Sequence, residues 1–314
     1  MTRPTAITVQ RWIARSLKQD PPRAKSLVMT VFGDAITPYG GSAWLGSLIA
    51  LLAPLGISER LVRTAVFRLV EEGWLEASRS GRRSQYRLSA QAEQRFLRAH
   101  QRVYAPIAQP WDGQWTLVLA DAGMLERSER LALKKALAWE GYGELAPGLL
   151  ARPGGDEAVL ADVLVQNGAQ GKVRVMRATD AGLPVAVGLG TALEDCWPLD
   201  EVRRAYRQFQ QMHLPLLEAI GSMDKAGSPV AIDATDAFCV RTLLVHAYRR
   251  VQLHDPQLPL SLLGEDWPAQ AAYQLCRDIY GKVARAAERH IASTLAAEDD
   301  AAPVLLSGRA KRFA

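Results

Sequence analysis

The segment from Ser42 to Gly73 constrains the fold most strongly, because two helical patterns are separated by a few residues that cannot continue a helix. Ser42–Leu52 is a short apolar pattern typical of a helix, and Pro54–Ile57 contains the proline and glycine of a tight turn. Ser58 is a residue type favoured at a helix N-cap, and Gly73 is one that commonly closes a helix. The sequence therefore predicts two helices joined by a tight turn.

The second of these helices has two chemically different faces. Four apolar residues at helical spacing are predicted to face inward: Val62, Ala65, Val66 and Leu69. Five residues with guanidinium, hydroxyl or aromatic groups are predicted on the other side: Arg60, Arg63, Thr64, Phe67 and Arg68. Arginine can bond guanine through two parallel hydrogen bonds, and threonine or phenylalanine can contact a thymine methyl. This outer face is therefore suited to the major groove of DNA.

A basic hairpin is predicted directly after this helix. Trp74–Ala77 and Gln85–Leu88 have the pattern of two short strands around a loop at 78–84. The stretch between Ala77 and Ala90 contains no acidic residue and four arginines: Arg79, Arg82, Arg83 and Arg87. Such a hairpin can lie along phosphates or enter a minor groove, where its charge contributes affinity more than sequence discrimination.

A basic helix face has a simpler explanation, since most such faces are only solvated. An aromatic residue at the position of Phe67 is also packed inside a protein as often as not. The order of turn, helix and basic hairpin along the chain nevertheless favours DNA binding over a solvated surface.

The whole chain has the patterns of an α+β multidomain protein. We expect a first domain at 1–103 and a middle domain at 104–190, where strands at 115–120, 145–151 and 173–178 alternate with helices at 126–139 and 157–166. That order suggests a small ferredoxin-like sheet. Long helical patterns at 202–220, 237–253 and 268–295 predict an α-helical C-terminal domain at 191–296, followed by a flexible tail at 297–314.

Composition adds only broad limits. The 314 residues carry a formal net charge of +5, which is compatible with a polyanionic partner but is weak evidence for one over this length. Cys196, Cys239 and Cys276 are widely spaced, so neither a disulfide framework nor a paired-cysteine metal site is expected. The sequence shows no secretory signal, and its most apolar run, Leu48–Ile57, is too short to span a bilayer. We expect a soluble cytoplasmic protein.

With these residues in view, the chain resembles the PaaX family of bacterial repressors of phenylacetic acid degradation. The resemblance is carried by ordered fragments along nearly the whole length: Gly40–Leu48, Glu59–Leu69, Glu72–Leu75, Gly81–Ser84, Trp111–Gly113, Leu145–Pro147, Tyr248–Arg250, Asp255–Pro256, Leu258–Pro259 and Trp267. It implies a winged helix-turn-helix, a middle domain similar to the small CRISPR-associated endonuclease, and a C-terminal helical domain. It also implies repression by a homodimer on partly palindromic operators, and release of the DNA by phenylacetyl-coenzyme A.

An acyl-coenzyme A effector needs cationic donors at its phosphates and an apolar slot for its ring. His246, Arg249 and Arg250 lie at helical spacing beside Tyr248, and we expect these four residues to bind the effector. The alternative is that Arg249 or Arg250 pairs with an acid of the same region and holds the C-terminal domain together; the acids available are Asp255, Glu265 and Asp266.

The rival function is a metal-dependent nuclease or nucleic-acid-processing protein that uses the middle domain. Asp121 follows the first predicted strand of that domain, where a metal-binding carboxylate could lie. A single aspartate at a strand end is more often a turn former or helix cap, and no second acid is clearly placed. The sequence also lacks a nucleophile elbow, a phosphate-binding loop and a zinc-protease motif, so we expect no catalytic residue, metal or cofactor.

Overall fold

The computed structural model describes residues 8–106, 111–120, 123–182, 193–221, 232–297 and 312–313. The chain forms two compact units, each assembled from separated stretches of sequence. The first comprises Met1–Pro106, Phe209–Arg250 and Ala271–Ala314, and the second comprises Ile107–Gln208 and Val251–Gln270. The division into three consecutive domains at 1–103, 104–190 and 191–296 stays a prediction. In the structure, two stretches of the C-terminal helical region, Phe209–Arg250 and Ala271–Ala314, group with the N-terminal residues.

Between residues 8 and 106, the N-terminal part of the first unit contains five α-helices and a three-stranded antiparallel sheet. Its elements are α1 (Val9–Gln19), α2 (Ala24–Val31), β1 (Ser42–Trp44), α3 (Leu45–Leu52), α4 (Glu59–Glu71), β2 (Leu75–Ser80), β3 (Arg83–Leu88) and α5 (Ala90–Tyr104). A π-helical turn at Phe32–Ile36 follows α2. The sheet has the order β1-β3-β2.

The start of α3 corrects the prediction of one helix over Ser42–Leu52. Ser42, Ala43 and Trp44 are extended because they pair with Arg87, Tyr86 and Gln85 of β3. The helix begins only at Leu45. This pairing joins residues that lie about forty positions apart, so the local apolar pattern could not predict it.

The second unit contains a four-stranded antiparallel sheet with two helices between its strands. Its elements are β4 (Gln114–Leu119), α6 (Arg127–Trp139), β5 (Gly143–Ala146), β6 (Leu149–Pro153), α7 (Glu157–Gln166), β7 (Arg174–Thr179) and α8 (Leu193–Cys196). The strand order β5-β6-β4-β7 is that of a ferredoxin-like sheet, which confirms the predicted architecture. The single strand predicted over 145–151 is wrong, because Pro147 and Gly148 form a turn between β5 and β6.

The remaining helices are α9 (Leu199–Gly221), α10 (Ala234–Gln252), α11 (Leu260–Leu263) and α12 (Ala269–Ala296). The three long ones match the three predicted helical patterns.

Within the first unit, the indole of Trp12 in α1 donates a hydrogen bond of 2.9 Å to the carbonyl of Met212 in α9. Beyond α12, the structure differs from the predicted flexible tail at Arg312 and Phe313, since the Phe313 side chain is buried.

Two histidines are buried within the first unit. His213 contacts the carbonyl oxygen of Phe209 through Nδ1 at 2.7 Å, and Nδ1 of His246 lies 2.9 Å from the hydroxyl of Thr30. Burial lowers the pKa of each imidazole from 6.5 to about 4, and at His246 the cations of Arg249 and Arg250 add to this effect. Both rings are therefore neutral in the folded protein near neutral pH.

In the described ranges, no helix combines the length and the apolar composition that a membrane span requires.

Leu133 and Leu131 on α6 provide a matched test of the core of the second unit. Leu133 is completely buried, whereas Leu131 is 61% exposed. We expect Leu133→Ala to lower the free energy of unfolding by about 2–5 kcal/mol, because it removes buried methyl groups and leaves a cavity. Leu131→Ala should change it by no more than about 0.5 kcal/mol. Urea unfolding followed by circular dichroism measures both, and equal losses would contradict the assignment of this core.

The buried histidines should make the protein less stable as the pH falls. Their folded pKa values lie below the unfolded value, so the unfolded chain binds more protons between about pH 6.5 and pH 4. Each histidine is expected to cost about 2 kcal/mol of unfolding free energy between about pH 7 and pH 5. His246→Gln should remove one such contribution from the pH dependence of the unfolding free energy, which urea unfolding at several pH values measures. If the unfolding free energy depends on pH identically in His246→Gln and the wild type, this account is wrong.

Candidate nucleic-acid interface

Helix α4 is anchored at both ends and along one side. The Ser58 hydroxyl accepts a hydrogen bond from the Leu61 amide at 3.4 Å, which confirms the predicted N-cap. At the other end, Gly73 adopts a φ of 72°, which favours glycine, and the Trp74 amide donates to the carbonyl of Leu69 at 2.8 Å. The predicted inward stripe is buried, with at most 4% exposure at any of its four members: Val62, Ala65, Val66 and Leu69.

The opposite side of α4 is exposed, as its spacing predicted. All five outward residues are exposed to solvent: Arg60, Arg63, Thr64, Phe67 and Arg68. Phe67 is 63% exposed, so this ring is not a core residue. The Thr64 hydroxyl donates to the carbonyl of Arg60 at 2.9 Å. The exposed ring lies among guanidinium groups and leaves apolar contact area available to a partner.

Sequence reasoning missed the role of Glu59, which pairs with Arg63. The Arg63 guanidinium contacts one carboxylate oxygen of Glu59 at 2.7 Å and 2.8 Å through two of its nitrogens. The spacing of four residues, with the acid in the first turn of the helix, is a signal that could have identified this pair. Any partner that uses Arg63 must first compete with this carboxylate.

Strands β2 and β3 form a hairpin with a two-residue loop. Ser80 pairs with Arg83, so Gly81 and Arg82 alone make the turn. Gly81 has a φ of 60°, which glycine supplies readily at the first position of such a loop. The predicted hairpin is present, and its strands extend closer to the tip than the sequence indicated.

The four arginines of the hairpin do not all lie on one face. Successive side chains alternate across a strand, so Arg83 and Arg87 share one face of the ribbon. Arg79 pairs with Ser84 and therefore lies on the other face, and Arg82 occupies the loop. The hairpin is thus basic on both sides and at its tip.

Two of these arginines are held by neighbouring side chains. The Arg83 guanidinium lies 4.6 Å from the ring centroid of Trp44, a distance typical of a cation–π contact. Arg87 contacts Glu76 directly across the strand pair, with nitrogen–oxygen distances of 2.7 Å and 3.0 Å. Both Arg79 and Arg82 are exposed.

The structure does not gather the four predicted effector residues on one open face. His246 faces Thr30, as described above, and Tyr248 is completely buried with its ring 5.4 Å from that of Phe209. Arg249 donates to the hydroxyl of Ser26 at 3.2 Å. Arg250 is exposed and contacts Asp20 at 2.5 Å.

Both arginines thus bind residues of the N-terminal segment, whereas the sequence suggested acids of their own region. One of those acids, Asp255, accepts a hydrogen bond of 2.5 Å from the Tyr206 hydroxyl.

The possible metal site at Asp121 lies outside the described residues. Within the part of the chain that the structure describes, no group of three or more histidine, cysteine, aspartate or glutamate side chains is placed to hold a metal ion.

Family models match most of the chain. A model described as PaaX-like protein matches residues 23–92, one described as PaaX protein central Cas2-like domain matches residues 108–187, and one described as PaaX-like protein C-terminal domain matches residues 197–293. A solved structure, the uncharacterized protein Rv0674 from Mycobacterium tuberculosis, is 24% identical with a TM-score of 0.46, and the match covers 90% of this chain and 98% of that one. That similarity is too low to carry an argument.

A curated relative gives a more specific comparison. The transcriptional repressor PaaX of Escherichia coli strain K12 is 39% identical over 279 residues, which cover 88% of this chain and 85% of the relative. The residues matched by the family models include α4, the β2–β3 hairpin and the ferredoxin-like sheet. On the strength of these matches, the chain belongs to the PaaX family.

Proposed function

We propose that this protein is a cytoplasmic DNA-binding transcriptional repressor that acts through a winged helix-turn-helix. The observation that carries the proposal is the exposed side of α4, where arginines surround an exposed phenylalanine beside a basic hairpin. In this assignment α3 and α4 are the two helices of the motif, α4 enters the major groove, and the β2–β3 hairpin is the wing. The relationship to a transcriptional repressor supports a regulator and not an enzyme.

The two parts of this interface have different tasks. Arg60, Arg63 and Thr64 lie in the first half of α4, the part of a recognition helix that reaches base edges. Arg79, Arg82 and Arg83 extend from the hairpin and can neutralise phosphates on neighbouring strands. Base contacts select the sequence, and phosphate contacts supply affinity and register.

The family resemblance supports two further proposals. The protein binds partly palindromic operators of phenylacetic acid catabolic genes as a homodimer, because two symmetric recognition helices match two half-sites of fixed spacing. Phenylacetyl-coenzyme A releases the DNA because it binds better to a conformation that does not fit the operator. A coupling of about 3 kcal/mol would lower the operator affinity on the order of a hundredfold.

One titration series tests this function. Fluorescence anisotropy is measured on duplexes from the gene's own upstream region and neighbouring promoters, with no addition, phenylacetyl-coenzyme A, coenzyme A or free phenylacetate. Tight binding that only the thioester reverses is the expected result. If the thioester does not change DNA binding, the proposal that phenylacetyl-coenzyme A is the effector is wrong. If the protein shows no sequence preference in DNA binding, the proposal that it is a repressor is wrong. Sedimentation of the protein–DNA complex reports whether two chains bind one operator.

Substitutions in α4 and in the wing should have different effects. Arg63→Ala is expected to cost about 1–3 kcal/mol of binding free energy and to relax the preference at one base pair. Arg82→Ala and Arg83→Ala should weaken binding to every sequence and reduce the slope of log affinity against log salt by about one each. Arg289→Ala, at an exposed position on α12, is the control and should change neither. Equal loss of specificity from all three interface variants would refute this division.

Removing the carboxylate that holds Arg63 should strengthen DNA binding. Glu59→Gln is expected to raise operator affinity about twofold to fivefold, because an exposed ion pair of up to ~1 kcal/mol no longer competes with the DNA. Glu71→Gln makes the same charge change at the other end of α4 and serves as the control. The two variants are compared in anisotropy titrations at one salt concentration. If Glu59→Gln gains no more than Glu71→Gln, Arg63 does not contact the DNA as proposed.

A further inference from the structure

Phe313 is inserted into a pocket of tyrosine rings in the first unit. Its side chain is only 7% exposed. Its ring centroid lies 5.0 Å from that of Tyr104, 5.2 Å from Tyr280, 5.6 Å from Tyr273 and 6.2 Å from Tyr248. These distances and the inclined ring planes are those of favourable aromatic contacts. Four rings from α5, α10 and α12 thus surround a residue that lies far beyond those helices in the sequence.

Arg312 occupies the neighbouring part of the same pocket. Its Nε lies 3.0 Å from a carboxylate oxygen of Asp34, and one terminal nitrogen donates to the carbonyl of Gly33 at 3.0 Å. The guanidinium also lies 5.3 Å from the ring centroid of Tyr104. Its side chain is 2% exposed, so the cation is almost completely withdrawn from water. A guanidinium is buried in this way only where a carboxylate and other acceptors receive it.

The walls of the pocket are held in place by bonds that do not involve Arg312 or Phe313. The hydroxyls of Tyr104 and Tyr280 donate to Asp34 at 2.8 Å and 3.1 Å, and Arg241 donates to its other oxygen at 2.7 Å. The Tyr273 hydroxyl donates to the carbonyl of Tyr104 at 3.3 Å. These bonds orient the rings and the carboxylate independently of Arg312 and Phe313.

The charges of the pocket match a cationic ligand. Burial alone would raise the pKa of Asp34, but the guanidiniums of Arg241 and Arg312 outweigh it and hold this pKa below its usual range. Arg241 also contacts Glu288 at 2.5 Å. Among the described residues of the pocket, two carboxylates thus face two guanidiniums, and removal of Arg312 would take one positive charge away from Asp34.

The backbone of Phe313 indicates that the pocket holds this residue against its own preference. Phe313 has a φ of 55°, in the left-handed region that a bulky residue rarely adopts. Such a conformation persists where surrounding contacts determine it. The ring contacts and the buried ion pair of the preceding residue supply those contacts.

We propose that the pocket formed by Asp34 and the four tyrosine rings is a recognition site for a cationic side chain followed by an aromatic ring. Arg312 and Phe313 of the same chain fill this pocket. The ligand class is a peptide segment with the arginine–phenylalanine order, and the chain supplies its own copy. The site does not include the outward residues of α4, and its occupation by Arg312 and Phe313 does not depend on DNA binding.

Occupation of this site also affects the support of α4, and this part of the inference rests on the proposed function. Asp34 lies in the π-helical turn that directly follows α2. Lys25 of α2 forms an ion pair with Glu72 at the end of α4. Asp34 is already bonded to α10 and α12, and a filled site adds the contacts of Arg312 with Asp34 and Gly33 to these bonds. Occupation therefore strengthens the support on which the recognition helix rests.

The test uses the full-length chain with Arg312→Ala and Phe313→Ala together, and a labelled peptide Ala-Lys-Arg-Phe-Ala that copies residues 310–314. We expect the peptide to bind this double variant at least tenfold more tightly than the wild type, whose site is already filled at a high effective concentration. Peptides with alanine in place of arginine or phenylalanine should bind the variant at least tenfold less tightly. A folded double variant that does not bind the peptide, or equal binding to wild type, overturns the proposal.

Phe313→Leu keeps the test available if the double variant does not fold. Leucine fills part of the ring pocket without aromatic contacts, and the melting temperature should fall by about 5 °C with the fold retained. The same peptide should then compete more effectively against Phe313→Leu than against the wild type. Equal competition in both proteins overturns the proposal.

A DNA measurement separates the site from its effect on α4. The double variant should bind operator DNA at least tenfold less tightly than the wild type, and saturating peptide should restore the affinity. Unchanged DNA affinity in a variant that binds the peptide overturns the coupling. If no form of the protein binds DNA, the proposed function fails, whereas peptide binding is measured without DNA and still decides the recognition site.

Discussion

The buried carboxylate of Asp34 is the interaction on which the first unit depends. It receives two guanidiniums and two tyrosine hydroxyls, and one of those guanidiniums belongs to Arg241, 207 positions away in the sequence. Removing one partner of a buried ion pair typically costs about 3–5 kcal/mol, because the other charge is left without compensation. The value of such a cluster lies less in net stability than in specifying one arrangement of α5, α10 and α12 around the turn that follows α2.

This arrangement explains why the compact units do not follow the order of the sequence. The N-terminal helices cannot satisfy Asp34 alone, and α10 alone would bury the charge of Arg241 without a partner. Each segment therefore completes the other in the folded unit. A helical region that looks like a separate C-terminal domain in the sequence is thus partly the support of the N-terminal one.

The outward side of α4, the proposed DNA-binding surface, is exposed although the helix is firmly attached. Its buried stripe attaches the helix to the unit, while Glu59 pairs with Arg63, and in the neighbouring hairpin Arg83 lies over the ring of Trp44. These contacts are exposed and weak, so a polyanion can replace them at small cost. Strong ion pairs within the protein would have made the same arginines unavailable to a partner.

The sequence by itself determined the helices and strands that depend on interactions between residues close together in the chain. The spacing of Val62, Val66 and Leu69, the cap at Ser58 and the glycine at Gly73 predicted α4 and its outward face, because helical periodicity and capping act within a few residues. The alternation of strands and helices likewise predicted the ferredoxin-like sheet, although the turn at Pro147 and Gly148 was missed.

Only the tertiary structure decided which of the predicted site residues share an environment. His246 and Arg249 look like an open cationic face in the helical pattern, but Thr30 and Ser26, more than 200 positions away, bind them. β1 is a strand because β3 pairs with it, and Arg312 and Phe313 are ordered because Asp34 and four tyrosines receive them. Burial and ion pairing depend on partners brought together by packing, and no local pattern contains those partners.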